Sequence, residues 1–131
     1  MTANQIILGS NICTDVIEDK TANATAQNNV TGAAATLFGA YIANTLNSTA
    51  VYLKIYNHAS PTIGTTAPDF SFVCPAGKSV QYTWMGGVAM STAISYACVA
   101  ETTAADLATT NGGTAGTTSP DKDVIVRILV T

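Results

Sequence analysis

From about residue 30 to the C-terminus, apolar and polar positions alternate with the two-residue period of a β-strand, in short runs separated by turn-forming residues. Thr36 to Ala43 puts Phe38, Ala40 and Ile42 on one face. Val51 to Tyr56 is the cleanest run: Val51, Leu53 and Ile55 face inward, and Tyr52, Lys54 and Tyr56 face outward. Asp69 to Cys74 turns Phe70, Phe72 and Cys74 inward, and Ser79 to Trp84 does the same with Val80, Tyr82 and Trp84 until Gly86-Gly87 breaks the run. Ala93 to Ala100 carries Ile94, Tyr96 and Cys98 on one side, and Val124 to Val130 closes the chain with Val124, Val126, Ile128 and Val130 in register. Asn44 to Thr49, Asn57 to Pro68, Pro75-Ala-Gly77 and Glu101 to Asp121 have the Asn, Gly, Pro and Thr chemistry of turns and loops.

These six runs predict an all-β chain folded as a single β-sandwich, of jelly-roll or immunoglobulin-like type. Ala33-Ala34-Ala35 and Ala104 to Thr110 are the only stretches where a helical turn is plausible. Residues 1–30 show no sustained period; Ile6-Ile7-Leu8 and Ile12-Cys13 are short apolar clusters that could add a strand or two, in a polar background that includes Glu18-Asp19-Lys20. That contrast predicts an extended N-terminal arm over residues 1–30 and a β-sandwich domain over residues 31–131.

Composition narrows the function classes. A chain of 131 residues is one domain's worth of protein, and its 10% charged residues are under half the usual ~25%. Thr and Ala, 21 each, fill the gap, and Thr suits a pleated, half-solvated surface. Eight acids against five bases leave no basic footprint, so no nucleic-acid partner is expected. The apolar runs are too short to span a membrane, so no membrane partner is expected either. Native sheets guard their edges with charge, above all Lys; a sheet protein this poor in charge is expected to cover its edges with partner subunits or loops.

Cys13, Cys74 and Cys98 cannot all pair within one chain and form no C-x-x-C, which suits reduced thiols in a protein made in cytoplasm; a Cys74–Cys98 bridge is the alternative. The first ten residues lack the basic and apolar regions of a signal peptide, and the sequons at Asn23, Asn29 and Asn47 are what chance produces in an Asn- and Thr-rich chain.

Little is left for catalysis. His58, the sole histidine, lies in a turn, where a solvated side chain is the expected role. Asp121-Lys-Asp123 has the spacing of a divalent-ion loop but reads as the lead-in to the last strand, and Glu18-Asp19 reads as a solvated acidic face. Gly86-Gly87 and Gly112-Gly113 lack the context of a phosphate loop and read as turns. No zinc spacing exists among the cysteines. No enzymatic activity, metal or cofactor is expected. Trp84 and Tyr82 could stack on a sugar ring, but their shared parity with Val80 assigns them to the core. Tyr41, Tyr52 and Tyr56 have the parity opposite to their strands' apolar sets, and outward tyrosines in a charge-poor sheet are expected interface residues.

The run from Tyr41 through Val51-Tyr-Leu-Lys-Ile-Tyr-Asn57 resembles the first hairpin of a group of small phage-encoded all-β virion proteins. Ser60 to Pro68, Val73-Cys-Pro-Ala-Gly-Lys78, Gly86-Gly87-Val88, Ser91 to Ser95 and Gly112 to Pro120 continue that similarity, which covers about residues 36–130 and consists of strand and turn signatures. Cysteines at 74 and 98 and Ala40 depart from the group's pattern. The resemblance implies a capsid decoration, or cement, protein: a homo-oligomer, trimer or dimer, on the capsid exterior that binds the major capsid protein and stabilises the shell. A tail, neck or fibre-associated virion protein and a carbohydrate-binding host-attachment module are the alternatives. Under this reading a 30-residue arm, extended at ~3.3 Å per residue, would reach across a neighbouring subunit.

Overall fold

The computed structural model describes residues 13–100 and 113–131. Seven strands build two antiparallel sheets: β1 (Asp15–Asp19), β2 (Ala35–Asn44), β3 (Val51–Asn57), β4 (Phe70–Cys74), β5 (Lys78–Met90), β6 (Ile94–Ala100) and β7 (Ile125–Val130). The four-stranded sheet has the order β1-β7-β2-β5 and the three-stranded sheet the order β4-β3-β6. No helix occurs among the described residues, and Ala33 and Ala34 lead into β2 rather than forming a helical turn. Ala104 to Thr110 lies outside the described residues.

The inward faces interlock as the alternation predicts. Ala40 and Ile42 of β2 and Val126, Ile128 and Val130 of β7 share one core cluster with Val51, Leu53 and Ile55 of β3 and Ile94, Tyr96 and Cys98 of β6. Phe38 departs from this pattern. The register of β2 shifts between Leu37 and Gly39, so Leu37 enters the core and the Phe38 ring lies over Gly87. An extra residue in a strand reverses the parity around it, which period-two counting cannot detect. Gly86-Gly87 likewise does not end a strand; β5 bends there and runs on to Met90, with Gly87 at φ 70°.

Residues 13–30 are not a free arm. β1 pairs along β7 from Asp15↔Val130 to Asp19↔Val126. The chain then crosses to the other sheet, where Asn23 O accepts from Cys98 N, Gln27 exchanges two backbone bonds with Tyr96, and Val30 N donates to Ile94 O. Segment 23–30 therefore lines the β6 edge. Those bonds use backbone groups, so the polar side chains of this stretch concealed its place in the sheets. Residues 1–12, the rest of the expected arm, lie outside the described residues.

Cys74 and Cys98 are free and buried, on β4 and β6 with β3 between them. Two strand spacings of ~4.8 Å separate them, beyond the ~6.8 Å Cα limit for a disulfide. Burial pushes the Cys98 thiol up to about 12, well away from a reactive thiolate.

Candidate interaction surface

The three tyrosines expected at an interface have different surroundings. Tyr41 lies on the outer face of the four-stranded sheet, in a cross-strand row that runs Glu18–Arg127–Tyr41–Gln81 across all four strands. Arg127 holds this row together: its Nε donates to Glu18 Oε2 at 2.6 Å, and its guanidinium sits 5.2 Å above the Tyr41 ring. The Arg127 bond, with Lys20 nearby, keeps the exposed Glu18 carboxyl below its ordinary range. Around the row lie half-buried Ile125 and Leu129, exposed Val16, and the small residues Gly39 and Ala43.

Tyr52 and Tyr56 do point away from the core cluster, but they are not on the surface. Tyr52 is 8% exposed and Tyr56 0%, and Lys54 between them is also 0% exposed. Loops cover this second face of β3 and β6. Lys54 Nζ donates to Gly116 O at 2.9 Å, Ser95 Oγ donates to His58 O, and Gly64 lies against Thr117. A strand in the middle of a sheet with both faces covered buries both parities. The expected exposure of Tyr52, Lys54 and Tyr56 is therefore corrected, and only Tyr41 of the three remains available to a partner.

That covered layer is strained in polarity. Burial pulls the Lys54 ammonium down to about 8, and Gly116 O is its one hydrogen-bond acceptor among the described residues. Burial also pushes the Tyr56 phenol up to about 12, and Tyr56 Oη has no hydrogen-bond partner there.

The residues weighed for chemistry stay apart. His58 Nδ1 accepts from Ser60 N at 2.9 Å in an exposed turn. Asp121 is exposed and paired with Lys122 at 3.4 Å, and no group of three metal-ligating side chains occurs among the described residues. Trp84 is half-buried, its ring 5.7 Å from Phe70 and 5.3 Å from Phe72. Tyr82 packs on Phe72 and donates its hydroxyl to Val73 O at 2.6 Å. This aromatic cluster closes the sandwich between β4 and β5, so Trp84 packs rather than presenting a free stacking platform. An open cavity of about 230 Å³ between β1, β7 and the turn before β2 is walled by Ile17, Val30, Ala35 and Val130, with Asp15 its one ionisable side chain.

Sequence reasoning missed one buried polar unit. Asn44 Nδ2 donates to the carbonyls of Thr49, Cys74 and Pro75, and its Oδ1 accepts from Asn47. Asn47 also exchanges bonds with the Lys122 backbone. Asn47 is 5% exposed with both ends of its amide engaged, so it is no glycan acceptor in the folded protein. The unit fastens three loops at one end of the sandwich.

Comparison with protein-family models, curated proteins and solved structures finds no match to this chain.

Proposed function

We propose that this chain is a structural virion protein, a capsid decoration or cement protein that binds the outer surface of the major capsid shell and stabilises it. The observation that carries the reading is the outer face of the four-stranded sheet, which no loop covers among the described residues. It combines an aromatic–cation–carboxylate row with apolar flanks at Val16, Ile125 and Leu129, on a scaffold whose other sheet has β3 and β6 covered on both faces. A surface of this composition suits protein contact, where Tyr and Arg are enriched.

Connectivity supports the same reading. With segment 23–30 counted as a fourth strand beside β6, the sheets read β1-β7-β2-β5 and β4-β3-β6-(23–30). We read that order as the double Greek key of a jelly roll, an architecture found among viral capsid and lectin domains. Fold-level analogy adds to the sequence resemblance without fixing the task.

A protein that binds only the assembled shell stabilises it by mass action, and contacts repeated over a lattice add through avidity. The chain would be made in the host cytoplasm and act on the capsid exterior, as a homo-oligomer. Co-sedimentation of the full chain with purified expanded shells tests the assignment. Wild-type protein pellets with shells, and Tyr41→Ala, which removes the centre of the open face, pellets less. Equal pelleting of Tyr41→Ala would move the contact off this face, and no pelleting of wild type would refute the cement role.

A further inference from the structure

The four-stranded sheet ends in two strands, β1 and β5, whose outer edges have no backbone partner among the described residues. β5 is the less protected of the two: it runs thirteen residues with no proline and one lysine, at its first position, whereas β1 is five residues long and carries three carboxylates. Their charges are opposite. β1 carries Asp15, Glu18 and Asp19 and no base, while β5 carries Lys78 and no acid.

Their exposed apolar side chains also match. Val16 of β1 is 54% exposed and Met85 of β5 is 83% exposed. Val16 begins the cross-strand row Val16–Leu129–Gly39–Thr83, and Met85 continues the outward parity of Thr83 two residues further along β5. The two side chains therefore lie on the same face, near the same end, at opposite edges of one sheet. Each of the three pairings in that sheet is antiparallel, so β1 and β5 run in opposite directions. A second copy placed edge to edge would continue the sheet with a further antiparallel pair.

We propose that copies of this chain associate head to tail through this sheet, β5 of one copy pairing with β1 of the next. The contact joins an acidic edge to an acid-free one and brings Val16 of one copy beside Thr83 and Met85 of its neighbour. Two copies meeting β1 to β1 would instead set carboxylates opposite carboxylates. A heterologous contact of this kind closes into a ring when its rotation permits. The inference rests on the homo-oligomer part of the proposed function and is independent of shell binding.

The test uses the full chain in a Cys13→Ser background, with Val16→Cys and Thr83→Cys introduced singly and together. Under mild oxidation the double variant forms disulfide-linked oligomers and neither single variant does. Links in Val16→Cys alone or Thr83→Cys alone would mean two-fold pairing of like edges and overturn the proposal, as would no links in the double variant. Independently, sedimentation equilibrium gives an oligomer for wild type, and Met85→Glu, at a site already in solvent, weakens it by about tenfold or more. Monomeric wild type, or unchanged association of Met85→Glu, would also overturn it. Shell co-sedimentation of wild type and Met85→Glu, a position outside the Tyr41 row and its flanks, separates this failure from failure of the cement role.

Discussion

Lys54→Met is the substitution whose outcome the structure determines most closely. The lysine stem is packed between β3 and the covering loops, and its ammonium has left water for one carbonyl, Gly116 O. Its pKa falls from 10.5 to about 8, so at pH 7 the folded protein still holds the charge, at a cost of about 3 kcal/mol relative to the same lysine in the unfolded chain. Between pH 8 and 10.5 the unfolded state binds more protons than the folded state, so this cost shrinks as pH rises, by about 1 kcal/mol from pH 7 to pH 9. Methionine keeps most of the stem's volume and carries no charge. Against the gain stands the Gly116 carbonyl left without its donor, about 1–3 kcal/mol. The variant is expected to be at least as stable as wild type at pH 7, with its advantage falling by about 1 kcal/mol by pH 9. Paired urea titrations at pH 7, 8 and 9 read the difference, and other titrating groups cancel between the two proteins. A difference that does not change with pH would refute the argument that a desolvated ammonium sits at this position.

Three further substitutions test separate parts of the account. Gly39→Ala would set a Cβ 2.4 Å from Tyr82 O and 3.3 Å from Thr83 Cα, both backbone, so β2 and β5 must separate; a loss of about 2–3 kcal/mol in urea unfolding is expected, and a loss under about 0.5 kcal/mol would deny the close approach. Tyr56→Phe removes a buried hydroxyl with no partner among the described residues and should leave stability unchanged or raise it by up to about 1 kcal/mol; a clear loss would reveal a partner for Tyr56 Oη. Asn44→Ala strips donors from three carbonyls and should lower stability by about 2–4 kcal/mol, while exposed His58→Ala changes neither stability nor shell binding. A neutral Asn44→Ala would show that the loop-fastening unit is dispensable.

The parts of the fold legible in the sequence are those where a strand buries one face and period-two alternation reports it directly. Val51, Leu53 and Ile55 and the β7 series Val126, Ile128 and Val130 are in the core as expected, and all six anticipated strands are present. Alternation sorts residues into two faces but does not say whether loops cover the second one. Tyr52 and Tyr56 illustrate this: an amphipathic ring suits a subunit contact and the underside of a loop equally well, and here loops 58–68 and 113–119 meet over it. The strand β1 was missed because Asp-Val-Ile-Glu-Asp has no local strand signal; pairing with β7 makes it a strand. The bulge at Phe38 and the continuation of β5 through Gly86-Gly87 are likewise set by pairing partners far along the chain. Of the candidate surface, Tyr41 was legible from its parity, whereas its partners Arg127 and Glu18 become neighbours only through the β1-β7-β2 order.

The proposed role is tested most directly by the copy number of this chain in purified virions, measured against the major shell protein by quantitative peptide mass spectrometry. Decoration of the lattice predicts about one copy per shell subunit, or a fixed simple fraction of it. A handful of copies per particle would place the protein in the tail or neck, and its absence from the particle would contradict the account.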